Sequence, residues 1–346
     1  MSSSSENYHP LIVSAVVEET HDSKSFVFEI PTDLQDKFKY QAGQFLTLLV
    51  DYEGKSLSRC YSLASSPEKD NAHKVTIKRV NDGRISNWFN DAVKTGDTLQ
   101  VMAPSGRFVL KDNSTPLWLF GGGSGITPMI SIVKTALLKT DRIIQLVYAN
   151  RDEESIIFDK ELKDLQANHA DRLKIIHSLD NRDGYLTSEK IQSWLPLDKT
   201  GDYYLCGPGP FMDVIENTLK DIGVQRDQIF LERFVSPADP DATPAPVTET
   251  TQDAVPSNLR VKWEDTMHEV PYEKGETILE AAKRAGIEPP FSCEEGYCSS
   301  CLFKIVKGRV EMRMNDCLSQ EDIEDDLYLG CQALPLTSEI EIDWDA

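Results

Sequence analysis

Residues 291–301, FSCEEGYCSSC, carry three cysteines, and a fourth follows at Cys331. Four residues separate Cys293 from Cys298, two separate Cys298 from Cys301, and 29 separate Cys301 from Cys331. This spacing is typical of a [2Fe-2S] cluster, in which a tight loop supplies three thiolates and a distant cysteine supplies the fourth. We therefore predict that these four cysteines are metal ligands and that the C-terminal part of the chain folds around such a cluster.

Other interpretations of the cysteines fit less well. The chain of 346 residues has 7 cysteines, and an odd number in a large chain does not suit a disulfide framework. Zinc sites usually combine two short cysteine pairs, whereas here a four-residue gap and a lone distant cysteine occur. Cys317 and Cys60 fall outside the spacing, and we expect both to be small packed side chains.

Three domains are predicted along the chain. Residues 10–110 contain short alternating segments separated by Gly and Pro, which favours an antiparallel β-barrel for residues 1–112. Apolar strands then alternate with helical segments, which predicts a parallel, doubly wound α/β sheet for residues 113–235. Residues 236–257, rich in Pro, Thr, Ala and Asp, are predicted to be a linker, and residues 258–346 to form a small α+β domain.

Several individual elements are also predicted from the apolar pattern. Strands are expected at 98–102 and 259–263. Helices are expected at 153–168 and at 277–285, where Gly286 ends the second one.

The formal net charge of −21 is unevenly distributed. Residues 258–346 contain 20 acidic and 9 basic residues, a net charge of −11. Such a domain would be repelled by nucleic acid and by anionic membranes, so a basic protein surface is the expected partner, although acidic surfaces also serve solubility alone. No run of eighteen apolar residues occurs, and the start MSSSSENYHP lacks the features of a secretory signal, so we expect a cytoplasmic protein.

The cysteine motif resembles a known family. FSCEEGYCSSC together with Cys331 is similar to the ferredoxin domain appended to oxygenase reductases of the ferredoxin-NADP⁺ reductase superfamily, and the resemblance extends upstream over nearly the whole chain. It implies a flavin-binding β-barrel, an NAD(P)-binding α/β domain and a C-terminal β-grasp ferredoxin domain of the plant type.

RCYSL, residues 59–63, resembles the flavin fingerprint of this superfamily. There an arginine neutralises the flavin phosphate, a tyrosine covers an isoalloxazine face and a serine hydrogen-bonds near N5. By itself, an arginine and a tyrosine two residues apart on a strand are commonly just two solvent-facing side chains. Here, however, VTIKRV and DGRISNW follow at family-like distances. The second of these starts a helix, predicted at 87–93, whose amides would meet a pyrophosphate, and this implies FAD, with FMN left open. The implied flavin-binding residues are Arg59, Cys60, Tyr61, Ser62, Thr76, Ile77, Lys78, Gly83, Arg84, Ile85 and Ser86.

Two glycine-containing turns resemble the pyridine-nucleotide domain of the same superfamily. They are GGGSGITP, residues 121–128, and LCGPGPFM, residues 205–212. A glycine-rich turn by itself is often only a tight turn, so the resemblance decides the interpretation. The implied nucleotide-binding residues are Gly122, Gly123, Gly125, Thr127, Cys206, Gly207 and Pro208.

LERF, residues 231–234, aligns with the acid and the terminal aromatic residue that flank the flavin in the ferredoxin-NADP⁺ reductases. In those proteins the aromatic ends the chain, whereas a linker follows Phe234 here. An ordinary aromatic residue at a strand end is therefore an equally open interpretation of Phe234, which is otherwise expected to bind the cofactor. The implied catalytic residues are Ser62, Cys206 and Glu232.

The choice between NADH and NADPH depends on the residues after the strand LKIIHSL. Relatives that bind a 2′-phosphate often carry Ser followed by Arg there, whereas this chain has Ser178, Leu179 and Asp180. A carboxylate would repel a phosphate and accept a hydrogen bond from a free ribose hydroxyl, which favours NADH. Arg151 and Arg182 leave NADPH open.

The resemblance implies an oxidoreductase that passes electrons from NADH through FAD and a [2Fe-2S] cluster to a separate protein. The domain order is similar to the reductases of 3-ketosteroid 9α-hydroxylase, of phenylacetyl-CoA epoxidase and of hybrid-cluster protein. The expected acceptor is a Rieske-type oxygenase, with a di-iron monooxygenase or hybrid-cluster protein as alternatives, and the chain is expected to be a monomer. From a different class, a cluster-based redox sensor without turnover, or a binding module with an inactive nucleotide fold, would show no rapid reduction by NADH.

Overall fold

The structure is a computed structural model that describes residues 7–234, 256–315 and 317–346. The chain forms two compact units, Met1–Phe234 and Val235–Ala346. The predicted linker lies outside the described residues except for positions 256 and 257. Across the described ranges, no helix is both long enough and apolar enough to cross a membrane.

The first part of unit 1 is an antiparallel β-structure with six strands in the order β4-β3-β6-β1-β2-β5. A bridge between Leu63 and Val75 joins the two ends of this sheet and closes it as a barrel. One helix, α1, covers the barrel, and its Phe89 ring packs edge-on against Phe26 in the core, with the ring centroids 5.4 Å apart. The elements are β1 Tyr8–Thr20, β2 Ser23–Glu29, β3 Phe45–Tyr52, β4 Lys55–Ser62, β5 His73–Lys78, α1 Arg84–Ala92 and β6 Thr98–Met102.

The second part of unit 1 is a five-stranded parallel sheet in the order β11-β10-β7-β8-β9. Apolar side chains of α2 and α3 are buried in one core cluster, and those of α5 and α6 in a second one. The elements are β7 Leu117–Gly122, α2 Ile126–Lys139, β8 Ile144–Asn150, α3 Asp159–Asn168, β9 Leu173–Leu179, α4 Asp180–Asp183, α5 Ser188–Trp194, β10 Asp202–Gly207, α6 Gly209–Asp221 and β11 Ile229–Arg233. Because the strands are parallel, all their carboxyl ends meet at one edge, where open α/β sheets bind ligands.

The barrel and the parallel sheet are joined by buried polar contacts. Ser131 of α2 donates a hydrogen bond to the Ser65 carbonyl oxygen over 2.6 Å. Lys134, one turn further along α2, is almost fully buried, pairs with Asp70 and Glu161, and donates to the Ala64 carbonyl oxygen. Because a buried charge is costly without partners, these contacts favour one arrangement of the two parts.

Unit 2 has its own core and a mixed five-stranded sheet in the order β13-β12-β18-β14-β16. The two central neighbours, β12 and β18, are parallel, and α7 packs its apolar face into the core. Thr277 caps α7 by accepting the Glu280 amide while the Glu280 carboxylate accepts the Thr277 amide. The elements are β12 Asn258–Trp263, β13 Thr266–Pro271, α7 Ile278–Arg284, β14 Leu302–Lys307, β15 Val310–Met312, α8 Gln320–Glu324, β16 Leu327–Leu329, β17 Ala333–Pro335 and β18 Ile340–Asp343.

Two predicted helices were wrong at their boundaries. The helix expected at 87–93 begins at Arg84, because the Ser86 hydroxyl accepts the Val80 amide and fixes the first turn early. The helix expected at 153–168 is split into a 3-10 turn, Glu153–Ser155, and α3. Phe158 lies between them with a φ of 63°, a left-handed conformation that ends regular helix geometry.

Candidate functional site

Three predicted catalytic residues are connected where the barrel meets the parallel sheet. Ser62 is the last residue of β4, and its hydroxyl donates a hydrogen bond to Glu232 Oε2 over 3.0 Å. Glu232 on β11 is the register partner of Cys206 on the neighbouring strand β10. The fold therefore brings together residues that come from three strands and from both parts of unit 1.

The carboxyl group of Glu232 has an unusual environment. Part of its side chain reaches the surface, but burial of the carboxyl raises its pKa to about 8, and the hydrogen bond from Ser62 opposes that shift. Burial likewise raises the pKa of the Cys206 thiol, with the negative charge of Glu232 as a smaller cause. At pH 7 both groups are mainly protonated, so the site can hold a proton at Glu232 next to the Ser62 hydroxyl.

The predicted flavin fingerprint forms the end of β4. Tyr61 packs edge-on against Phe89 of α1 with the ring centroids 5.6 Å apart, and burial raises the pKa of its hydroxyl. The Cys60 thiol lies 3.2 Å from the Thr47 hydroxyl on β3, so it interacts within the barrel. Arg59 donates to the Ser58 carbonyl oxygen over 2.6 Å. Arg59 and Tyr61 alternate with Cys60 and Ser62 along the strand and therefore share one face of it.

The second predicted flavin segment joins β5 to α1. The Thr76 hydroxyl is buried against Ser25 at 2.7 Å, and the side chains of Ile77 and Ile85 lie in the barrel core. These three residues can therefore contact a ligand only through their backbone. Gly83 caps α1, and a Cβ there would lie 2.7 Å from Ser86 Oγ, so a side chain would displace the turn. The remaining predicted residue, Arg84, is the first residue of α1.

The two glycine turns of the nucleotide part pack against each other. A Cβ at Gly125 would lie 2.1 Å from the Cys206 carbonyl oxygen, and a Cβ at Gly207 would lie 2.7 Å from the Phe211 ring. A Cβ at Gly122 would lie 3.0 Å from both Phe211 and Pro208. Side chains would push these turns apart, so the glycines keep Cys206 next to the turn that begins α2.

The same turns open onto a cavity of about 990 Å³. A Cβ at Gly123 would meet only Lys78 Nζ, at 3.9 Å, among the described residues, so its backbone faces open space. Thr127, by contrast, donates its hydroxyl to the Ser124 carbonyl oxygen and stabilises the turn itself. The helix α2 begins just after this turn, and its N-terminal amides suit a pyrophosphate. The predicted site residues that line the cavity are Lys78, Gly122, Gly123 and Pro208.

Sequence reasoning missed several cavity residues. Asp22, in the turn after β1, pairs with Arg151 at 2.9 Å and with Lys78 at 3.7 Å, although 129 residues separate Asp22 from Arg151. Burial lowers the pKa of Lys78, and Asp22 opposes that shift. Phe211 lies within the motif LCGPGPFM and could have been singled out, whereas no local pattern marks Asp22. Asp180, used for the NADH prediction, also lines the cavity.

Phe234 is placed differently from the other predicted residues. Its side chain is 40% exposed, and it is not among the described residues that line the cavity. Its position follows β11 directly, two residues after Glu232. The described geometry therefore gives it no contact that would distinguish a cofactor-stacking residue from an aromatic residue at a strand end.

In unit 2, the four predicted ligands are buried around one loop. The Cys293 amide lies 3.4 Å from Cys298 Sγ, and the Cys331 amide lies 3.4 Å from Cys301 Sγ. The Glu295 amide also donates to Cys293 Sγ, over 3.4 Å. Amide donors directed at several buried sulfurs stabilise thiolates and tune a bound cluster, so the residues fit a [2Fe-2S] centre.

Two further residues shape this loop. Gly296 has a φ of +84°, and a Cβ there would lie 3.1 Å from the Gln332 side chain. Gln332 donates to the Glu294 carbonyl oxygen over 3.1 Å and to Cys331 Sγ over 3.6 Å, so it links the loop to the distant fourth ligand. Cys317 is half-buried, and its thiol lies 3.6 Å from the Gly296 carbonyl oxygen.

Three family models match successive parts of the chain. An oxidoreductase FAD-binding domain matches residues 10–110, an oxidoreductase NAD-binding domain residues 119–217, and a 2Fe-2S iron-sulfur cluster binding domain residues 261–336. They confirm the predicted fold classes and the cofactors FAD, NADH and [2Fe-2S].

Similar proteins cover the whole chain. The ferredoxin reductase component of 3-ketosteroid-9-alpha-monooxygenase from Rhodococcus rhodochrous is 44% identical over 96% of both chains. A subunit of 1,2-phenylacetyl-CoA epoxidase from Escherichia coli K12 is 32% identical to this chain over 98% of both chains. Among solved structures, phthalate dioxygenase reductase has the same fold, with a TM-score of 0.63 and 24% identity, covering 99% of this chain and 100% of the other. The chain therefore belongs to the ferredoxin reductase components of oxygenase systems, a family of NAD(P)H-dependent flavin and iron-sulfur oxidoreductases that supply electrons to an oxygenase partner.

Proposed function

We propose that this reductase delivers electrons from NADH to a Rieske-type oxygenase similar to 3-ketosteroid 9α-hydroxylase. The contact between Ser62 and Glu232, with Cys206 beside it, carries the proposal, because a binding module or a sensor without turnover has no need for a hydroxyl, an acid and a thiol assembled at this junction. The choice of oxygenase is supported by the 44% identity to a reductase component of that system.

When bound, FAD and the [2Fe-2S] cluster would supply the chemistry that converts the two-electron donor NADH into a source of single electrons. Ser62 and Glu232 would hold a proton for the reacting end of the flavin, and Cys206 would line the nicotinamide position. Arg59 would bind the flavin phosphate through its planar guanidinium, and Tyr61 would cover the flavin ring. Cys293, Cys298, Cys301 and Cys331 would hold the cluster.

The preference for NADH over NADPH is part of the proposal. Asp180 begins α4 directly after β9 and lines the cavity, so its carboxylate can accept a hydrogen bond from a ribose hydroxyl and repel a 2′-phosphate. Arg151 is already paired with Asp22, which reduces its ability to bind that phosphate. We expect the ratio kcat/KM to be higher for NADH than for NADPH.

The partner is expected to dock through a basic surface. Unit 2 carries the cluster ligands and most of the excess acidic charge of the chain, so electrostatic attraction would favour a basic face near the iron centre of the oxygenase. We further propose that the reductase works as a monomer in the cytoplasm, where NADH is available.

Reconstitution tests the proposal directly. The FAD- and cluster-loaded reductase is combined with a purified Rieske-type 3-ketosteroid 9α-hydroxylase oxygenase, and NADH-dependent hydroxylation is measured. In parallel, the reductase is combined with the di-iron oxygenase of phenylacetyl-CoA epoxidase and with hybrid-cluster protein. The proposal requires the fastest coupled turnover with the Rieske protein. Faster turnover with either alternative would reassign the partner, and failure of NADH to bleach the flavin and cluster absorbance rapidly would indicate a sensor.

A further inference from the structure

Asn150 is a buried polar side chain without protein partners among the residues that the structure describes. It is the last residue of β8, only 6% exposed, and it lines the 990 Å³ cavity. Within the described ranges, neither its amide nitrogen nor its amide oxygen has a hydrogen-bond partner. An amide that is removed from water and left unpaired at both ends costs folding free energy, and such a group at a cavity wall points to a ligand.

The polar groups beside Asn150 are already engaged. The Tyr148 hydroxyl, two residues earlier on the same face of β8, donates to the Gly123 carbonyl oxygen over 3.0 Å and accepts the Ile157 amide over 3.2 Å. Burial raises the pKa of the Tyr148 hydroxyl, and a side-chain interaction with Asn150 opposes that shift, but among the described residues neither Asn150 amide atom reaches a partner in hydrogen-bond geometry. Arg151, the next residue, is paired with Asp22. A bound molecule is therefore the best candidate to satisfy Asn150.

The sheet order shows which part of a nucleotide would pass this residue. Strand β8 lies between β7, which ends in the glycine turn, and β9, which is followed by Asp180. In register, Gly122 pairs with Ala149, and Asn150 pairs with Leu179 immediately before Asp180. A nucleotide with its pyrophosphate at the glycine turn and its adenosine ribose at Asp180 crosses the carboxyl end of β8 at Asn150.

The chemistry of an amide matches a sugar hydroxyl better than a phosphate. The Asn150 side chain offers one acceptor and two N–H donors, and a hydroxyl both donates and accepts. The oxygens of an ionised phosphate only accept, so a 2′-phosphate would leave the amide oxygen of Asn150 buried and unpaired. We infer that Asn150 binds a ribose hydroxyl of the adenosine half of the pyridine nucleotide and acts with Asp180 as a specificity residue for the unphosphorylated ribose. This inference rests on the proposed use of NADH.

The test compares Asn150→Ala and Asn150→Ser with wild type in the full chain loaded with FAD and cluster. Asn168→Ala, an exposed asparagine at the end of α3, is the matched control. We expect Asn150→Ala to raise KM for NADH about tenfold with kcat changed less than about twofold, equivalent to roughly 1.4 kcal/mol of binding. KM for NADPH should change less than about twofold. Asn150→Ser, which keeps a donor and an acceptor on a shorter side chain, should recover part of the loss.

A binding measurement provides a second readout that is independent of turnover. Calorimetric titration with ADP-ribose should show about tenfold weaker binding to Asn150→Ala, whereas binding of 2′-phospho-ADP-ribose should change little. The bound FAD per chain should stay at the wild-type level. Three results would each overturn the assignment. They are an equal loss of affinity for both nucleotides, unchanged binding of ADP-ribose, and loss of bound FAD with unchanged KM for NADH.

The outcomes separate this inference from the proposed function. If wild type shows no preference for NADH over NADPH, the proposed donor preference fails whatever Asn150 does. If wild type prefers NADH and Asn150→Ala keeps that preference and its KM, only the role of Asn150 is refuted. If Asn150→Ala does not fold, Asn150→Ser decides: weaker binding of ADP-ribose with little change for 2′-phospho-ADP-ribose would support the inference, and unchanged binding or equal losses for both nucleotides would refute it.

Discussion

The Ser62 hydroxyl donates a hydrogen bond to Glu232 Oε2 over 3.0 Å, across 170 residues of sequence. The bond joins the end of a barrel strand to an edge strand of the parallel sheet. It places a hydroxyl and a neutral carboxylic acid together at the boundary between the flavin-binding and nucleotide-binding parts. The consequences of this contact can be measured separately for each partner.

Replacing Ser62 by Ala should slow flavin reduction without removing the flavin. The variant loses the hydroxyl that is proposed to act beside the flavin, and general acid–base assistance of this kind contributes on the order of a hundredfold to ten-thousandfold. Anaerobic stopped-flow absorbance at saturating NADH measures the rate. Ser56→Ala, in the exposed part of the same strand, is the control and should reduce at the wild-type rate. A wild-type rate in Ser62→Ala would remove Ser62 from the proposed catalytic set.

Replacing Glu232 by Gln should change how stability depends on pH. The pKa of about 8 in the folded protein lies above the ordinary value of 4.5. Below pH 4.5 the carboxyl is therefore protonated in both the folded and the unfolded chain, and its ionisation costs no folding stability. As pH rises from 4.5 to 8, the unfolded chain ionises first, and wild type loses stability by up to roughly 1.4 kcal/mol per pH unit. Gln does not ionise, so the melting temperature of the variant should rise relative to wild type over this window.

Calorimetric scans at pH 5, 6, 7 and 8 measure this difference for unit 1. Glu154→Gln, at an exposed position, is the control and should track wild type. If the difference in melting temperature between Glu232→Gln and wild type stays constant across the four pH values, Glu232 ionises normally in the folded protein.

Replacing Gly125 by Ala should damage the nucleotide turn. The new Cβ would lie 2.1 Å from the Cys206 carbonyl oxygen, which is backbone and cannot move aside cheaply. We expect a loss of about 1–3 kcal/mol in the free energy of unfolding, together with a marked rise in KM for NADH. Gly209→Ala is the matched control, because a Cβ there meets nothing within 4 Å and alanine favours the helix α6 that begins at this residue. Similar melting temperatures for the two variants would contradict the packing argument.

Replacing Cys298 by Ser should separate the two halves of electron transfer. Loss of one thiolate should prevent normal cluster assembly and abolish NADH-dependent reduction of cytochrome c, a one-electron protein acceptor. Reduction of ferricyanide, which can take electrons from the flavin, should remain near wild type. Cys317→Ser, outside the ligand spacing, should keep the cluster, as judged by its visible and EPR spectra. Equal loss of both activities in Cys298→Ser would contradict this division between flavin and cluster.

Local patterns predicted much of the architecture. The strand expected at 98–102 was found as Thr98–Met102, and the helix expected at 277–285 was found as Ile278–Arg284 with Thr277 as its cap. The cysteine spacing also identified four side chains that are buried around one loop. These signals are local, since they depend on alternation, capping residues and short spacings that neighbouring residues determine.

Other features depend on backbone conformations and contacts that the apolar pattern does not show. The early start of α1 results from the Ser86–Val80 contact, and the break before α3 results from the left-handed conformation of Phe158. The ion pair between Asp22 and Arg151 and the unpaired amide of Asn150, as seen among the described residues, arise only when separate strands meet at one cavity. The positions of the catalytic residues came from the resemblance, whereas the raised pKa of Glu232 required the folded surroundings.

Unit 2 has its own hydrophobic core, and all four proposed cluster ligands lie within its residues 293–331. The described residues that line the nucleotide cavity all belong to unit 1. A single genetic crossover between the two units would therefore exchange the electron outlet and its acidic surface in one step and leave the donor site intact. In evolutionary terms, such a reductase can acquire a new oxygenase by recombination rather than by gradual redesign of its active site.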